Sequence, residues 1–135
     1  MRGFTQPHTE TVTFMRGPET VSYTVHARPL LFDDRVQVQY SHPQDANPDA
    51  TDGEAHAWAL DIGLIYAAEA LRPSEEGIPE TPADSGPVWA VYAGQLREMF
   101  NAAGLTAQQV LEIRKASDRL TKHITDEQLE TAGND

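Results

Sequence analysis

Between residues 11 and 26 apolar and polar positions alternate. Val12 and Phe14 are separated by threonine, and Val21, Tyr23 and Val25 alternate with Ser22, Thr24 and His26. A period of two puts one apolar face inward and one polar face outward, as in a half-buried strand. Gly17-Pro18-Glu19 interrupts the pattern with turn residues, glycine being free to take a positive φ. The spacing predicts a β-hairpin with strands at residues 11–16 and 20–27. Pro29 ends the second strand. Leu30-Leu31-Phe32 is an apolar knot, and the residues after it fit two periods. Val36, Val38 and Tyr40 alternate as in a strand, whereas Phe32, Val36 and Tyr40 recur at helical spacing. A short helix is the preferred reading for residues 31–40.

Helical periodicity governs the rest. Residues 41–53 hold two prolines and three aspartates without apolar period, an exposed loop. A helix is expected over 54–71, stopped by Pro73. It places Trp58, Ile62, Ile65 and Tyr66 on one side and Leu60, Leu64, Ala67 and Leu71 on another, which suits the central element of a core. Both Trp58 and Trp89 are expected to be largely buried. After a second polar loop, 72–86, Ser85 is expected to cap the next helix, with Pro87 in its first turn. Trp89, Tyr92, Ala93, Leu96, Phe100 and Ala103 form that helix's core stripe, and Gly104 ends it in a left-handed conformation. Thr106-Ala-Gln-Gln109 is a capping box opening a last helix, with Val110, Ile113, Leu120 and Ile124 inward. The fold class is therefore α+β: an N-terminal β-hairpin followed by a bundle of three to four helices. One domain is expected over 11–124, between a flexible N-terminus, 1–10, and a polar, frayed C-terminal tail, 125–135.

Composition narrows the function classes. The chain of 135 residues contains no cysteine, which excludes disulfides, thiol nucleophiles and thiolate metal sites. Its net charge of −11, from 21 acidic and 10 basic residues, repels phosphate backbones. Neither nucleic acid nor an anionic membrane is an expected partner. The first ten residues lack the apolar core of a signal peptide, and the apolar stretch 55–71 is interrupted by His56, Asp61 and Glu69. A cytoplasmic location is the expectation.

Candidate chemistry is sparse. Asp45, Asn47 and Asp49 match the first three ligand positions of a calcium-binding loop, but Ala50 stands where the turn needs glycine and His56 where a bidentate glutamate belongs. The five histidines, His8, His26, His42, His56 and His123, lack the i, i+4 pairing of a helical zinc site. No nucleophile elbow, P-loop or dinucleotide fingerprint occurs. No catalytic, cofactor-binding or metal-binding residue is assigned, and an enzyme is not expected. Asp61, within an apolar helix, reads as a member of a narrow polar stripe with Glu54 and Glu69; the sharper alternative is a carboxylate perturbed in a pocket. Val88, Val91 and Met99 form a second apolar face around Gln95 on the helix of Trp89. That face either packs on the hairpin or forms an exposed protein-binding patch, whose candidate residues are Val88, Val91, Gln95 and Met99. Arg114, Lys115, Arg119 and Lys122 gather on the last helix, where they complement its dipole or meet an acidic neighbour or an identical subunit.

The order of elements resembles that of the tail assembly chaperones of tailed bacteriophages and prophages. The likeness lies in the hairpin Val12-Thr-Phe-Met-Arg-Gly17 with Val21-Ser-Tyr-Thr-Val25, running into Ala27-Arg-Pro-Leu-Leu-Phe-Asp33. It continues in Trp58-Ala-Leu-Asp-Ile62, Pro87-Val-Trp-Ala-Val-Tyr92 and Phe100-Asn-Ala-Ala-Gly-Leu-Thr106. It covers most of residues 10–124 as a pattern of elements and carries no functional residues across. The resemblance implies a non-enzymatic protein that transiently binds the tape-measure protein, or another tail protein, and keeps it soluble during tail assembly. Two alternatives stay open: another small virion component, such as a connector or completion protein, and a small bacterial enzyme or regulator.

Overall fold

A computed structural model describes residues 9–133, with side chains through Ile124. Residues 1–8 and the side chains of 125–135, where a flexible N-terminus and a polar tail are expected, lie outside this description. The chain runs β1 (Thr9–Arg16), β2 (Glu19–His26), α1 (Phe32–Gln39), α2 (Pro43–Ala46), α3 (Asp52–Leu71), α4 (Val88–Ala102) and α5 (Ala107–Gly133). A hairpin precedes a helical bundle, which is the α+β arrangement expected from the pattern. Among the described residues no helix is long and apolar enough to cross a membrane.

β1 and β2 pair antiparallel without a break, from Thr9↔His26 to Arg16↔Glu19, and Gly17 turns the chain at φ 61°. Thr9 and Glu10 thus belong to the strand rather than to a loose N-terminus. The period of two is realised as two faces. Val12, Phe14, Val21, Tyr23 and Val25 turn inward, while Thr13 and Ser22 share a 3.0 Å hydrogen bond on the outer face. β1 lies on α5, and β2 on α3 and α5.

Residues 32–39 are helical, and burial shows why. Phe32 and Val36, a turn apart, enter the core, whereas Val38, which a strand would pair with Val36, faces solvent. Asp33 and Asp34 in the first turn suit the positive end of the helix dipole. Three details of the later loops and helices also differ from expectation. The loop 41–53 contains the single turn α2, because Pro43 is preset for a first helical position and His42 Nδ1 accepts the Gln44 N–H. α3 starts at Asp52, two residues early, because the Thr51 hydroxyl accepts the Glu54 N–H at 3.1 Å. Ser85 does not cap α4. Gly86, at φ 102°, turns the chain so that its own carbonyl accepts the Trp89 N–H at 3.1 Å, and Pro87 occupies the cap position.

The turn between α4 and α5 follows its sequence signals closely. Gly104 takes φ 76°, the Leu105 N–H reaches the Phe100 carbonyl, and the Gly104 N–H reaches that of Asn101. Thr106 and Gln109 then exchange side chain-to-backbone bonds of 3.1 and 3.0 Å. This fixed reversal sends α5 back along α3, so α3 packs against both α4 and α5. Trp89, in the first turn of α4, is fully buried, its indole N–H donating to the Asp84 carbonyl and its ring stacked on that of Tyr40. Trp58 is partly buried, packed against the core rather than within it. Its indole edge donates to the Tyr40 carbonyl at 2.8 Å, and its ring meets those of Tyr40 and His42 at the margin of the core.

Candidate functional site

Three arginines tie the irregular segments to the helices. Arg28, on the stretch leaving β2, is 5% exposed. It makes a two-pronged pair with Asp33 at 2.8 and 2.7 Å and a single contact with Asp118 of α5 at 2.7 Å. Its guanidinium lies 4.6 Å over the Tyr66 ring, while Nη1 makes no hydrogen bond. Burial opposes the charge, but bonding and attraction from Asp33 and then Asp118 outweigh it and raise the Arg28 pKa. Arg72 folds the loop 72–86 onto the bundle by donating to Glu69, Thr81 and the Tyr92 hydroxyl.

The third arginine corrects the reading of Asp61. That residue is 7% exposed and does not belong to a solvated stripe. Its carboxylate accepts the Tyr40 hydroxyl at 2.7 Å and Arg97 Nη2 at 2.9 Å. These partners lie 21 and 36 positions away, so no local pattern announces them. Burial first, and then the hydrogen bond and charge of Asp61, push the Tyr40 hydroxyl above the usual tyrosine range. Tyr40 is therefore a fixed donor.

Beside Arg97 the bundle opens. An apolar cleft of ≈ 490 Å³ lies between α3, the end of α4 and the start of α5. Leu60, Leu64, Phe100, Leu105 and Leu111 supply most of its apolar wall, with Ala59 and Gly63 as small residues along α3. The second apolar face of α3 was expected to lie in the core. Its Ala67 and Leu71 are indeed buried, but Leu60 is 54% exposed and Leu64 half-buried, because only the last turn of α4 and the first turns of α5 reach this side. Leu111 across the gap is 39% exposed. The cleft's charged lining residues are Arg97 and Arg114.

The candidate patch on α4 divides. Val88, Val91 and Gln95 are exposed, with Val91 at 62%, whereas Met99 is half-buried against the core. The patch does not pack on the hairpin as a unit. At 100° per residue these positions lie on one flank of the buried stripe and Arg97 and Asn101 on the other. Patch and cleft are thus separate apolar surfaces. Of the cationic cluster on α5, Arg119 pairs with Glu10 at 2.6 Å, Lys115 approaches Glu112, and Arg114 lies 5.0 Å over the Tyr66 ring. Asn47 of the calcium-like triplet uses its side chain to accept the Asp49 N–H, and among the described residues no three His, Asp or Glu side chains gather to hold a metal.

No protein-family model, curated protein or solved structure matches the chain.

Proposed function

We propose that this chain is a non-enzymatic protein-binding factor: a phage-type tail assembly chaperone that holds a tape-measure protein in the host cytoplasm while the tail assembles. The observation that carries the reading is the cleft between α3, α4 and α5, where Leu60 and Leu111 face one concavity from opposite sides. Large apolar side chains scattered singly over a surface need no explanation, but a shared apolar concavity is a site for docking. A groove walled by helices suits an amphipathic helix, whose anchors recur at three- and four-residue spacing. That is the type of segment a tape-measure protein would present.

The exposure of Val88 and Val91 favours a second docking surface on α4, and one experiment separates the two. Co-expression with the candidate tape-measure protein is expected to raise its soluble yield. Leu60→Glu with Leu111→Glu should remove that effect while circular dichroism of the isolated chain stays unchanged. Val88→Glu with Val91→Glu would remove it instead if the patch is the docking surface. A yield unaffected by either pair, with both variants folded, would overturn the reading.

A further inference from the structure

We infer that the cleft selects an apolar helix that carries a carboxylate on its docking face, held by Arg97 and Arg114. This rests on the preceding reading of the cleft as a protein-docking site. On a chain of net charge −11, the charged residues lining this concavity are both arginines. The rest of the lining is apolar apart from the amides of Asn101 and Gln108. Cations at the edge of an apolar groove complement an acidic group on an apolar ligand.

Each arginine has a carboxylate close by, and in both cases a second donor already engages it. Asp61 takes the Tyr40 hydroxyl in addition to Arg97. Asp118 takes Arg28 at 2.7 Å and stands 3.9 Å from Arg114, beyond hydrogen-bonding distance. A guanidinium has five N–H donors. The Asp61 contact occupies one nitrogen of Arg97, and that side chain is 57% exposed. Arg114 is oriented by its stack on Tyr66 and lies beside Gly63, where a Cβ would come within 3.6 Å of Nη1. Both cations are thus positioned by their own chain and keep donor capacity toward the cleft.

A helical occupant follows from the shape of the walls. Leu60 and Leu64 form an i, i+4 ridge on α3, and Ala59 and Gly63 run beside it as a shallow row. An incoming helix can set its own ridge into such a row. A carboxylate one turn from its apolar anchors would then reach the arginines at the cleft edge.

The test uses two fluorescein-labelled helical peptides with leucines at i, i+3, i+4 and i+7. One carries glutamate on the same face, and the other glutamine there. Anisotropy titrations of the full chain should show the glutamate peptide binding about tenfold more tightly, the range of a charge-assisted hydrogen bond. Arg114→Gln should remove most of that preference, and Arg97→Lys should reduce it without unfolding the chain, since the pair with Asp61 is retained in kind. Leu60→Glu should weaken both peptides. Equal binding of the two peptides, lost with Leu60→Glu, would overturn the carboxylate clamp while leaving the docking cleft intact. Binding of neither peptide, with decanoate binding in their place, would overturn both in favour of a small apolar acid. Self-association of the chain that Leu60→Glu abolishes would overturn the clamp and assign the cleft to a second copy.

Discussion

Arg28→Ala should be among the most damaging single changes outside the apolar core. The substitution removes a two-pronged pair with Asp33, a contact with Asp118 and a stack on Tyr66 from a position that is 5% exposed. Breaking a buried ion pair by deleting one partner costs about 3–5 kcal/mol. The side chains of Asp33 and Asp118 are 39% and 46% exposed, so water solvates them once Arg28 is gone. The lower end, about 3 kcal/mol, is therefore expected. For a domain of this size each kcal/mol moves Tm by about 3–4 °C, which gives a fall of roughly 10 °C.

Arg119→Ala is the matched control. Its pair with Glu10 is as short, at 2.6 Å, but the two side chains are 61% and 39% exposed. Exposed pairs contribute about 0–1 kcal/mol, so that variant should melt within about 3 °C of the parent chain. Arg28→Lys should fall between them, because an ammonium retains the charge but cannot form the planar fork. Thermal and urea unfolding followed by circular dichroism give all three values. Equal, small losses for Arg28→Ala and Arg119→Ala would refute the claim that burial makes the Arg28 contacts matter.

Two further outcomes follow from local geometry. Burial raises the hydroxyl pKa values of Tyr40, Tyr66 and Tyr92. A folded pKa above the unfolded value, about 10, means that their contribution is complete below pH ~10 and declines as pH rises toward the folded values. Urea unfolding between pH 8 and pH 11.5 should show that decline, and Tyr40→Phe should make it shallower by up to about 1.4 kcal/mol per pH unit. Identical slopes would show that Tyr40 ionises freely. The change Gly→Ala should have opposite signs at two sites. At Gly104, φ is 76° and a Cβ would run into the Arg16 guanidinium, so a loss of about 1–2 kcal/mol is expected. At Gly94, inside α4, a Cβ meets nothing within 4 Å, so a gain of about 0.5–1 kcal/mol is expected. Denaturant midpoints of the two variants check both signs.

Local signals carried most of the fold. The threonine alternation, Gly17, Gly104 and the Thr106–Gln109 box each act within a few residues, and each is realised in the backbone. What the sequence concealed depends on distant partners. Arg28 is followed by proline in an unremarkable stretch, and Asp118, which completes its site, lies on the last helix. Asp61 reads as one acid in a helix until Tyr40 and Arg97 arrive from either side. The cleft was half legible. Periodicity identified Leu60 and Leu64 as a second apolar face of α3, but it cannot say how many neighbours will cover such a face. That depends on where α4 ends and α5 begins. The patch of Val88, Val91, Gln95 and Met99 was legible as an excess of apolar positions, though burial of Met99 shortens it.

An open apolar cleft invites a second copy as readily as a foreign helix, since burial of apolar area does not discriminate. Discrimination needs terms that act differently on the two occupants. At a distance the net charge of −11 opposes the approach of a second copy, with a reach of about 10 Å at 0.1 M salt. The same field also opposes an acidic partner during approach, so attraction to Arg97 and Arg114 must act at contact, inside the cleft. A copy of this chain meets the long-range repulsion over its whole surface. A helix with one carboxylate on its docking face meets little of it and gains both cations when it arrives. The exposure of Leu60 and Leu111 is then compatible with weak self-association, because the net charge of −11 opposes the approach of a second copy.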